Sequence, residues 1–291
     1  MVMNRRSIYV YLAVLLGITW TLQIIAVRST GGLDSGSSMV LMAAGMFLPS
    51  VLAAIYLVVF NRSAWKFIQW RLGNPVYLAL AVILPLIIAL GVTALAVSSE
   101  IATSEYFAVT QEGVEILRGP WLLGSGVQPI PIFILNLLST AVVYALLASL
   151  VTVGEEFGWR GFLQHHLIEN FGVLRGVGIL GLFWGFWHLP INLSGYNYPE
   201  NATLGAILLF PCLLLAASFI MAWLTILARS FWPAVLMHGT VNSTFDSVTT
   251  RLNPLPGHSR LEIDLLVLGV MIGVGLICAA WLMARRKPAP A

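Results

Sequence analysis

The stretch that decides the fold is VYLALAVILPLIIALGVTALAV, residues 76–97, in which no side chain is charged. A helix needs about 20 apolar residues to cross the hydrocarbon core of a bilayer, so this run predicts a transmembrane helix. Seven further apolar runs lie along the chain, at residues 8–27, 39–60, 129–153, 173–193, 204–228, 231–248 and 263–283. The pattern predicts an all-α, polytopic transmembrane bundle of about eight helices.

Composition excludes the other broad classes of protein. Of the 291 residues, 59% are hydrophobic and only 9% are charged, whereas about a quarter of the residues of a soluble domain are charged. These values exclude an ordinary soluble protein and a disordered chain. The net charge is only +3, which also argues against nucleic acid as a partner. The lipid bilayer is the expected environment.

The distribution of basic residues predicts the orientation in the membrane. If both termini are cytoplasmic, eleven Lys and Arg residues belong to inner segments, and four belong to outer segments: Arg28, Arg118, Arg251 and Arg260. This asymmetry is the one that the positive-inside rule describes. We therefore expect a multi-pass integral protein, in the cell membrane, with both termini in the cytoplasm.

Charged residues inside apolar runs are candidates for function, because each costs about 2.5–3.5 kcal/mol at the centre of a membrane helix. Glu156 and Arg160 are four residues apart with the acid first, which is the favourable order for an ion pair on a helix. Glu155 points about 100° away from that pair and has no such neighbour. It is therefore the carboxylate that we expect to be available for chemistry. The alternative is an ion network that only packs helices together.

His188 reaches the level of Glu155 through a predicted helical hairpin. Residues 170–172, Asn-Phe-Gly, are a natural turn between two helices. Glu155 lies about as far before this turn as His188 lies after it, so an antiparallel pair of helices brings both to one depth. A lone histidine in an apolar run is more often a core residue. The shared depth is what favours a functional role.

His238 and Asn242 are four residues apart and share one helix face, which Asp246 continues. A carboxylate beside an imidazole can activate water, and a second imidazole and an amide can donate hydrogen bonds to an oxyanion. We therefore predict peptide-bond hydrolysis, with Glu155 and His188 activating water and with His238 and Asn242 as oxyanion donors. A polar seam that only joins helices is the alternative.

Three motifs resemble those of the CAAX-protease and bacteriocin-processing (CPBP, or Abi) intramembrane endopeptidases: Glu155-Glu156-x-x-x-Arg160, an aromatic residue followed by His188, and His238-x-x-x-Asn242. The resemblance covers residues 155–242. It implies a bundle of about eight transmembrane helices with an intramembrane cavity that faces the cytoplasm. On this basis we divide the chain into helices 1–3 with an outer loop (residues 1–128), a catalytic core (129–250), and the last helix with a cytoplasmic tail (251–291).

The resemblance also implies roles for individual residues. Glu155 and His188 match the positions that activate water in the family, and His238 and Asn242 match the positions of the oxyanion hole. Glu156 and Arg160 match supporting positions, as their predicted ion pair suggests. Trp184 departs from the family pattern, which has Phe at that position. Because Trp184 is also aromatic, it can form the same wall of the site as Phe, so we expect activity to be retained.

We expect that the reaction requires no cofactor. The motif H-E-x-x-H, which spaces two zinc ligands on one helix, is absent from the sequence. The alternative is Zn²⁺ held by Glu155, His188 and His238 with one open position.

The expected partner is a membrane-anchored peptide or protein, of the CAAX type or of the leader or bacteriocin type, and the oligomeric state stays open. Two other functions remain alternatives. A non-proteolytic scaffold or immunity protein of the same family has no need for four costly polar groups. A proton-coupled transporter predicts two matching halves, whereas the polar residues of this chain crowd into the second half.

Overall fold

A computed structural model describes residues 2–30, 32–245 and 251–284 of the chain. The principal helices in these ranges are α1 Arg5–Arg28, α2 Gly36–Phe60, α3 Pro75–Ser98, α4 Ile130–Phe171, α5 Val173–Trp187, α6 Ala202–Ala228, α7 Trp232–Thr240 and α8 Arg260–Ala284. Six of the eight, all except α5 and α7, are long and apolar enough to cross a membrane. The prediction of an all-α polytopic bundle is confirmed, and the protein is an integral membrane protein.

The two shorter helices are extended by irregular turns. A one-turn helix, Leu189–Leu193, follows α5 after His188, and a π-helical turn, Val241–Phe245, follows α7. Helix α5 packs along α6, and α7 packs along α4 and α3. Of the eight predicted crossings, six are therefore helices of full spanning length, and two are shorter helices held between longer ones.

Short polar side chains mark where three of the helices begin. The side-chain oxygen of Asn4 accepts a hydrogen bond from the backbone of Ser7 at the start of α1. Ser35 caps α2 in the same way, and Asn74 caps α3. Such caps satisfy backbone N–H groups that have no partner within the helix. The start positions of α1, α2 and α3 therefore follow from the local sequence.

Helix α4 is far longer than a bilayer requires. Its 42 residues span about 63 Å at 1.5 Å per residue, and they include a buried π-helical segment, Phe157–Leu163. The helix ends at Gly172, whose φ of 80° is a conformation that glycine adopts at little cost. The chain then reverses into α5, which confirms the predicted hairpin. The side chain of Asn170 at the hairpin tip donates to the backbone oxygen of Met3.

Glycines allow α5 to lie close against α6. A Cβ atom added to Gly181 would lie 2.7 Å from the Cα atom of Leu215, and one added to Gly185 would lie 2.5 Å from the Cα atom of Pro211. Small residues permit such close backbone approach between helices in a membrane. This packing fixes the position of the α5 end that carries His188.

Two small antiparallel sheets occupy the connection between α3 and α4 and the approach to α8. Strand β1, Ala102–Ser104, pairs with β5, Leu252–Pro254. A three-stranded sheet has the order β2 Phe107–Thr110, β3 Gly113–Ile116 and β4 Gly126–Gln128. The sequence predicts an outer loop here and misses these strands. Each has only three or four residues, too few for an alternating pattern to stand out.

The bundle has two distinct ends. The hairpin end carries residues 3–5, 61–74, 170–175 and 229–232, where Asn170 bonds Met3 and the indole of Trp232 donates to the backbone oxygen of Trp70. The sheet end carries residues 99–129, 194–201 and 251–259, where β1 meets β5. Helix α1 begins at the hairpin end with Arg5, and helix α8 ends there with Ala284.

Candidate active site

Glu155 is buried in α4 and is held by two indole groups. Its Oε2 accepts a hydrogen bond of 3.0 Å from Nε1 of Trp184 on α5 and a longer one of 3.4 Å from Nε1 of Trp159, one turn further along α4. Its side chain forms no salt bridge within the described ranges. The carboxylate is therefore fixed by neutral donors, and its charge is not cancelled by a direct ionic partner.

Glu156 is the centre of a buried ionic network, in agreement with the predicted ion pair. Nη1 of Arg160 lies 2.8 Å and 2.9 Å from the two carboxylate oxygens. Nδ1 of His238, on α7, lies 2.9 Å from Oε1. Nη2 of Arg160 donates to the hydroxyl of Ser218 on α6 at 3.0 Å, and its guanidinium lies 4.1 Å from the ring of Trp184. The network joins α4 to three neighbouring helices.

The contact with Glu156 also fixes the protonation of His238. A carboxylate can only accept a hydrogen bond, so Nδ1 of this imidazole carries a hydrogen. The other ring nitrogen, Nε2, is left for a ligand in the adjacent cavity, which His238 lines. A carboxylate behind a histidine is a common way to fix the orientation of the ring.

His188 follows the last residue of α5 and is oriented by the backbone. Its Nδ1 lies 2.9 Å from the backbone oxygen of Trp184, and its ring packs edge-to-face against Trp187 and Phe210. Because a carbonyl oxygen only accepts, Nδ1 carries a hydrogen, so that a neutral ring presents Nε2 as an acceptor. This is the form of imidazole that can take a hydrogen bond from water.

One cavity of about 780 Å³ is lined by all four predicted catalytic residues, Glu155, His188, His238 and Asn242. Asn242 lies in the π-helical turn after α7, and its side chain is exposed in the cavity. The structure thus gathers residues from three separate stretches of the chain, while the role of each residue stays a prediction. Asp246, the last residue of the predicted polar face, lies outside the described residues.

The loops that line the cavity lie on one side of the site. The first residue of α1 and the last residue of α8 lie on the other side. The loop residues that line the cavity, 196–200 and 251–254, belong to the sheet end, whereas Arg5 and Ala284 lie at the hairpin end. Cytoplasmic termini and a cytoplasm-facing cavity were both predicted above. Both stay predictions.

Several cavity residues were not found from the sequence. Nε2 of Gln23 on α1 donates to the backbone oxygen of Trp187 at 3.1 Å, and its Oε1 is buried without a hydrogen-bond partner in the structure. Asp264 on α8 forms an ion pair with Arg260 at 3.0 Å. The presence of Asp264 within an apolar run was a usable signal. Gln23 gave none, because an uncharged polar residue in a membrane helix is common.

The residues at this site do not form a metal-binding set as arranged. Across the described ranges, no three His, Cys, Asp or Glu side chains are grouped so that they could hold a metal ion. Glu155 is engaged by two indole groups, and Glu156 is engaged by Arg160 and His238. The alternative ligand set Glu155, His188 and His238 is not among the groups found, and a reaction without a metal stays a prediction.

Comparisons with known proteins find one matching family model and a curated relative. Residues 131–244 match the family model described as type II CAAX prenyl endopeptidase Rce1-like. This segment contains all four predicted catalytic residues. A curated protein, CAAX prenyl protease 2 from Methanococcus maripaludis, is 28% identical over 105 residues, which are 35% of this chain. The match spans 38% of the length of that protein.

Proposed function

We propose that this chain, whose residues 131–244 match the type II CAAX prenyl endopeptidase Rce1-like family model, is an intramembrane endopeptidase that cleaves a membrane-anchored peptide or protein. The observation that carries the proposal is a buried carboxylate, Glu155, that lines one cavity with two imidazoles and an amide. Their hydrogen bonds leave Nε2 of His188 and Nε2 of His238 for ligands in that cavity.

The first step is the activation of water. A water molecule between Glu155 and Nε2 of His188 gives its proton to the carboxylate, and its oxygen attacks the carbonyl carbon of the scissile bond. General-base catalysis of this kind contributes typically about 10²–10⁴-fold to the rate. The two indole donors hold Glu155 in place for this transfer, so little reorganisation is needed.

The second step is stabilisation of the tetrahedral oxyanion. The side-chain amide of Asn242 donates one hydrogen bond, and Nε2 of His238 donates the other. Donation by Nε2 requires a protonated ring, because Nδ1 already donates to Glu156. The negative charge of Glu156 favours that imidazolium. The C–N bond then breaks, and the proton held by Glu155 passes to the leaving amine. No step requires a metal ion.

The walls of the cavity suit a substrate that is attached to the membrane. Leu213 and Leu214 of α6 line one wall, and Val267 and Met271 of α8 line another. Apolar walls next to a polar reaction centre can take up a hydrophobic anchor or a transmembrane segment while the scissile bond meets the polar groups. We propose such an anchored substrate, of the CAAX type or of the leader or bacteriocin type.

The test is cleavage of a membrane-tethered reporter by the purified protein in proteoliposomes. We expect Glu155→Gln to lower turnover by about 10²-fold or more, because it removes the general base. Glu169→Gln is the matched control, since Glu169 lies on the same helix with an exposed side chain at the hairpin end. Thermal unfolding in detergent should be unchanged in both variants. Wild-type turnover by Glu155→Gln would end the catalytic assignment.

The natural substrate can be sought with the same pair of proteins. Comparative proteomics of membrane-protein C-termini, in cells with the active form or with Glu155→Gln, should reveal termini that appear only with the active form. A scaffold or immunity protein would give identical termini in both samples.

A further inference from the structure

Helix α1 reaches the candidate site, although it lies outside the segment that matches the family model. The side-chain amide of Gln23 donates to the backbone oxygen of Trp187 at 3.1 Å. The indole of Trp187 donates in return to the hydroxyl of Thr19, one turn earlier on α1, at 2.8 Å. Trp187 immediately precedes His188, so these two bonds hold Gln23 next to one of the predicted catalytic residues.

The bond to Trp187 fixes which way the amide group of Gln23 is turned. A backbone carbonyl oxygen only accepts hydrogen bonds, so the NH₂ group of the amide must face it. The opposite assignment would set two acceptor oxygens against each other. The amide oxygen, Oε1, is therefore the atom left over, and within the described ranges it is buried without a hydrogen-bond partner.

A buried acceptor without a donor is unfavourable and calls for an explanation. The side chain of Gln23 is only 3% exposed, yet it lines the cavity that Glu155 and His188 also line. The missing donor can therefore be a group that occupies this cavity. A peptide N–H is such a donor, and every residue except proline carries one.

Helix α2 leaves room for an extended chain in the same cavity. Leu41, Met42 and Gly45 of this helix line it together with Gln23. A Cβ atom added to Gly45 would have no neighbour within 4 Å, so the α2 backbone lies next to open space there. Among the described residues of α1 and α2 that line the cavity, Gln23 carries the polar side chain. A peptide in these apolar surroundings needs a partner for its N–H groups, and Gln23 offers one.

We propose that Gln23 forms a subsite for the substrate backbone, in which Oε1 accepts a hydrogen bond from a peptide N–H close to the scissile bond. The inference rests on the proposed function, since it concerns the substrate of that reaction. It defines a chemical requirement: the substrate carries a secondary amide at this position, and proline is rejected there. Gln23 binds the chain and takes no part in breaking the bond.

An amide-to-ester scan of the substrate tests the subsite. Lipid-anchored peptides with the cleavable segment of the reporter are made, each with one non-scissile amide replaced by an ester, which removes the N–H without adding atoms. The value of kcat/KM is measured with the purified protein in proteoliposomes. We expect one position at which the ester lowers kcat/KM by about 10-fold or more, because Oε1 of Gln23 is then left unpaired.

Two variants of Gln23 assign the sensitive position to this residue. Gln23→Met removes the acceptor, so we expect it to cleave the amide and the ester with equal kcat/KM. Gln23→Glu keeps an acceptor oxygen, so the penalty should remain. A purely structural role of Gln23 would lower kcat/KM for both substrates alike and would leave their ratio unchanged.

Trp20→Phe is the matched control. The indole of Trp20 donates to the backbone oxygen of Phe186 at 3.0 Å, so this variant also removes a hydrogen bond between α1 and α5. Trp20 does not belong to the described cavity lining, and the ester penalty should persist. A penalty that persists in Gln23→Met would overturn the proposal, as would its loss in Gln23→Glu or the absence of a sensitive position with the wild type.

Binding to the Glu155→Gln protein separates this proposal from the proposed function. The affinities of the same peptides are measured in detergent by fluorescence anisotropy. An ester penalty on Kd that requires Gln23, without cleavage by the wild type, would reject the protease and keep the subsite. Cleavage without such a penalty would reject the subsite and keep the protease. Peptides that are neither bound nor cleaved would reject both.

Discussion

Trp184 shows how much a single residue contributes at this site. Its indole nitrogen donates to Glu155 at 3.0 Å, its ring lies 4.1 Å from the guanidinium of Arg160, and its backbone oxygen fixes the ring of His188. The sequence predicts only an aromatic wall at this position. Trp184 therefore links Glu155, the ion pair of Glu156 with Arg160, and His188 through its side chain and its backbone.

Glu156 is adjacent to Glu155 but has a different environment, and the two should respond differently to mutation. Removal of one partner of a buried ion pair leaves an uncompensated charge and costs about 3–5 kcal/mol. We therefore expect Glu156→Ala to lower the stability by about that amount, because Arg160 and His238 both lose their acceptor.

Thermal unfolding in detergent measures this effect. Glu155→Ala is the matched control, since it removes a carboxylate from the same buried helix without breaking a salt bridge in the described structure. We expect the control to unfold near the wild-type temperature while it loses catalytic activity. Equal melting temperatures for Glu156→Ala and wild type would contradict a supporting role for the network.

At the scale of a secondary-structure element, the π-helical segment Phe157–Leu163 connects the site to helix α2. All seven of its residues are buried. Gly158 in this segment lies directly against the backbone of Pro49, while Gly161 has more space. A π-helical turn inside an α-helix often marks a functional site, and here it follows immediately after Glu155 and Glu156.

The two glycines of this segment give a matched pair of substitutions. A Cβ atom at residue 158 would lie 2.6 Å from the backbone oxygen of Pro49, whereas one at residue 161 would have its nearest neighbour at 3.4 Å, in the ring of Phe157. We expect Gly158→Ala to destabilise the protein by about 1–3 kcal/mol through overpacking. Gly161→Ala should be neutral or slightly stabilising, since alanine is the better helix former by about 1 kcal/mol.

Melting temperatures and cleavage rates of both variants check this expectation. Gly158→Ala should also lose activity, because displacement of α4 from α2 moves Glu155. If Gly158→Ala behaved like Gly161→Ala in both assays, the close contact between α2 and α4 would not be required for the site.

At the scale of the whole molecule, the cavity combines polar groups from α4, α5 and α7 with apolar walls from α6 and α8. Oε2 of Glu155 accepts hydrogen bonds from two indole groups, and Glu156 contacts Arg160 and His238. We predict that Glu155 activates water without a metal ion.

A chelator titration tests this expectation. We expect turnover of the reporter by the purified protein to be unchanged after dialysis against EDTA and after treatment with 1,10-phenanthroline. A purified zinc protease with an accessible metal serves as the positive control. Loss of activity that Zn²⁺ restores would contradict the metal-free mechanism.

The sequence by itself determined the features that depend on neighbours along the chain. The helices follow from apolar runs, the bond between Glu156 and Arg160 follows from a spacing of four residues, and the reversal at Gly172 follows from a residue that tolerates positive φ. Each involves residues within a few turns of one another, so periodicity and spacing were sufficient to predict them.

Only the tertiary structure decided which distant groups meet. The bond from Trp184 to Glu155 spans 29 positions in the sequence, and the bond from His238 to Glu156 spans 82. The strand pairing of β1 with β5 and the end at which the cavity opens also depend on how whole helices pack. Such contacts are set by the close approach of complementary surfaces, such as Gly185 against Pro211, and no local pattern in the chain records them.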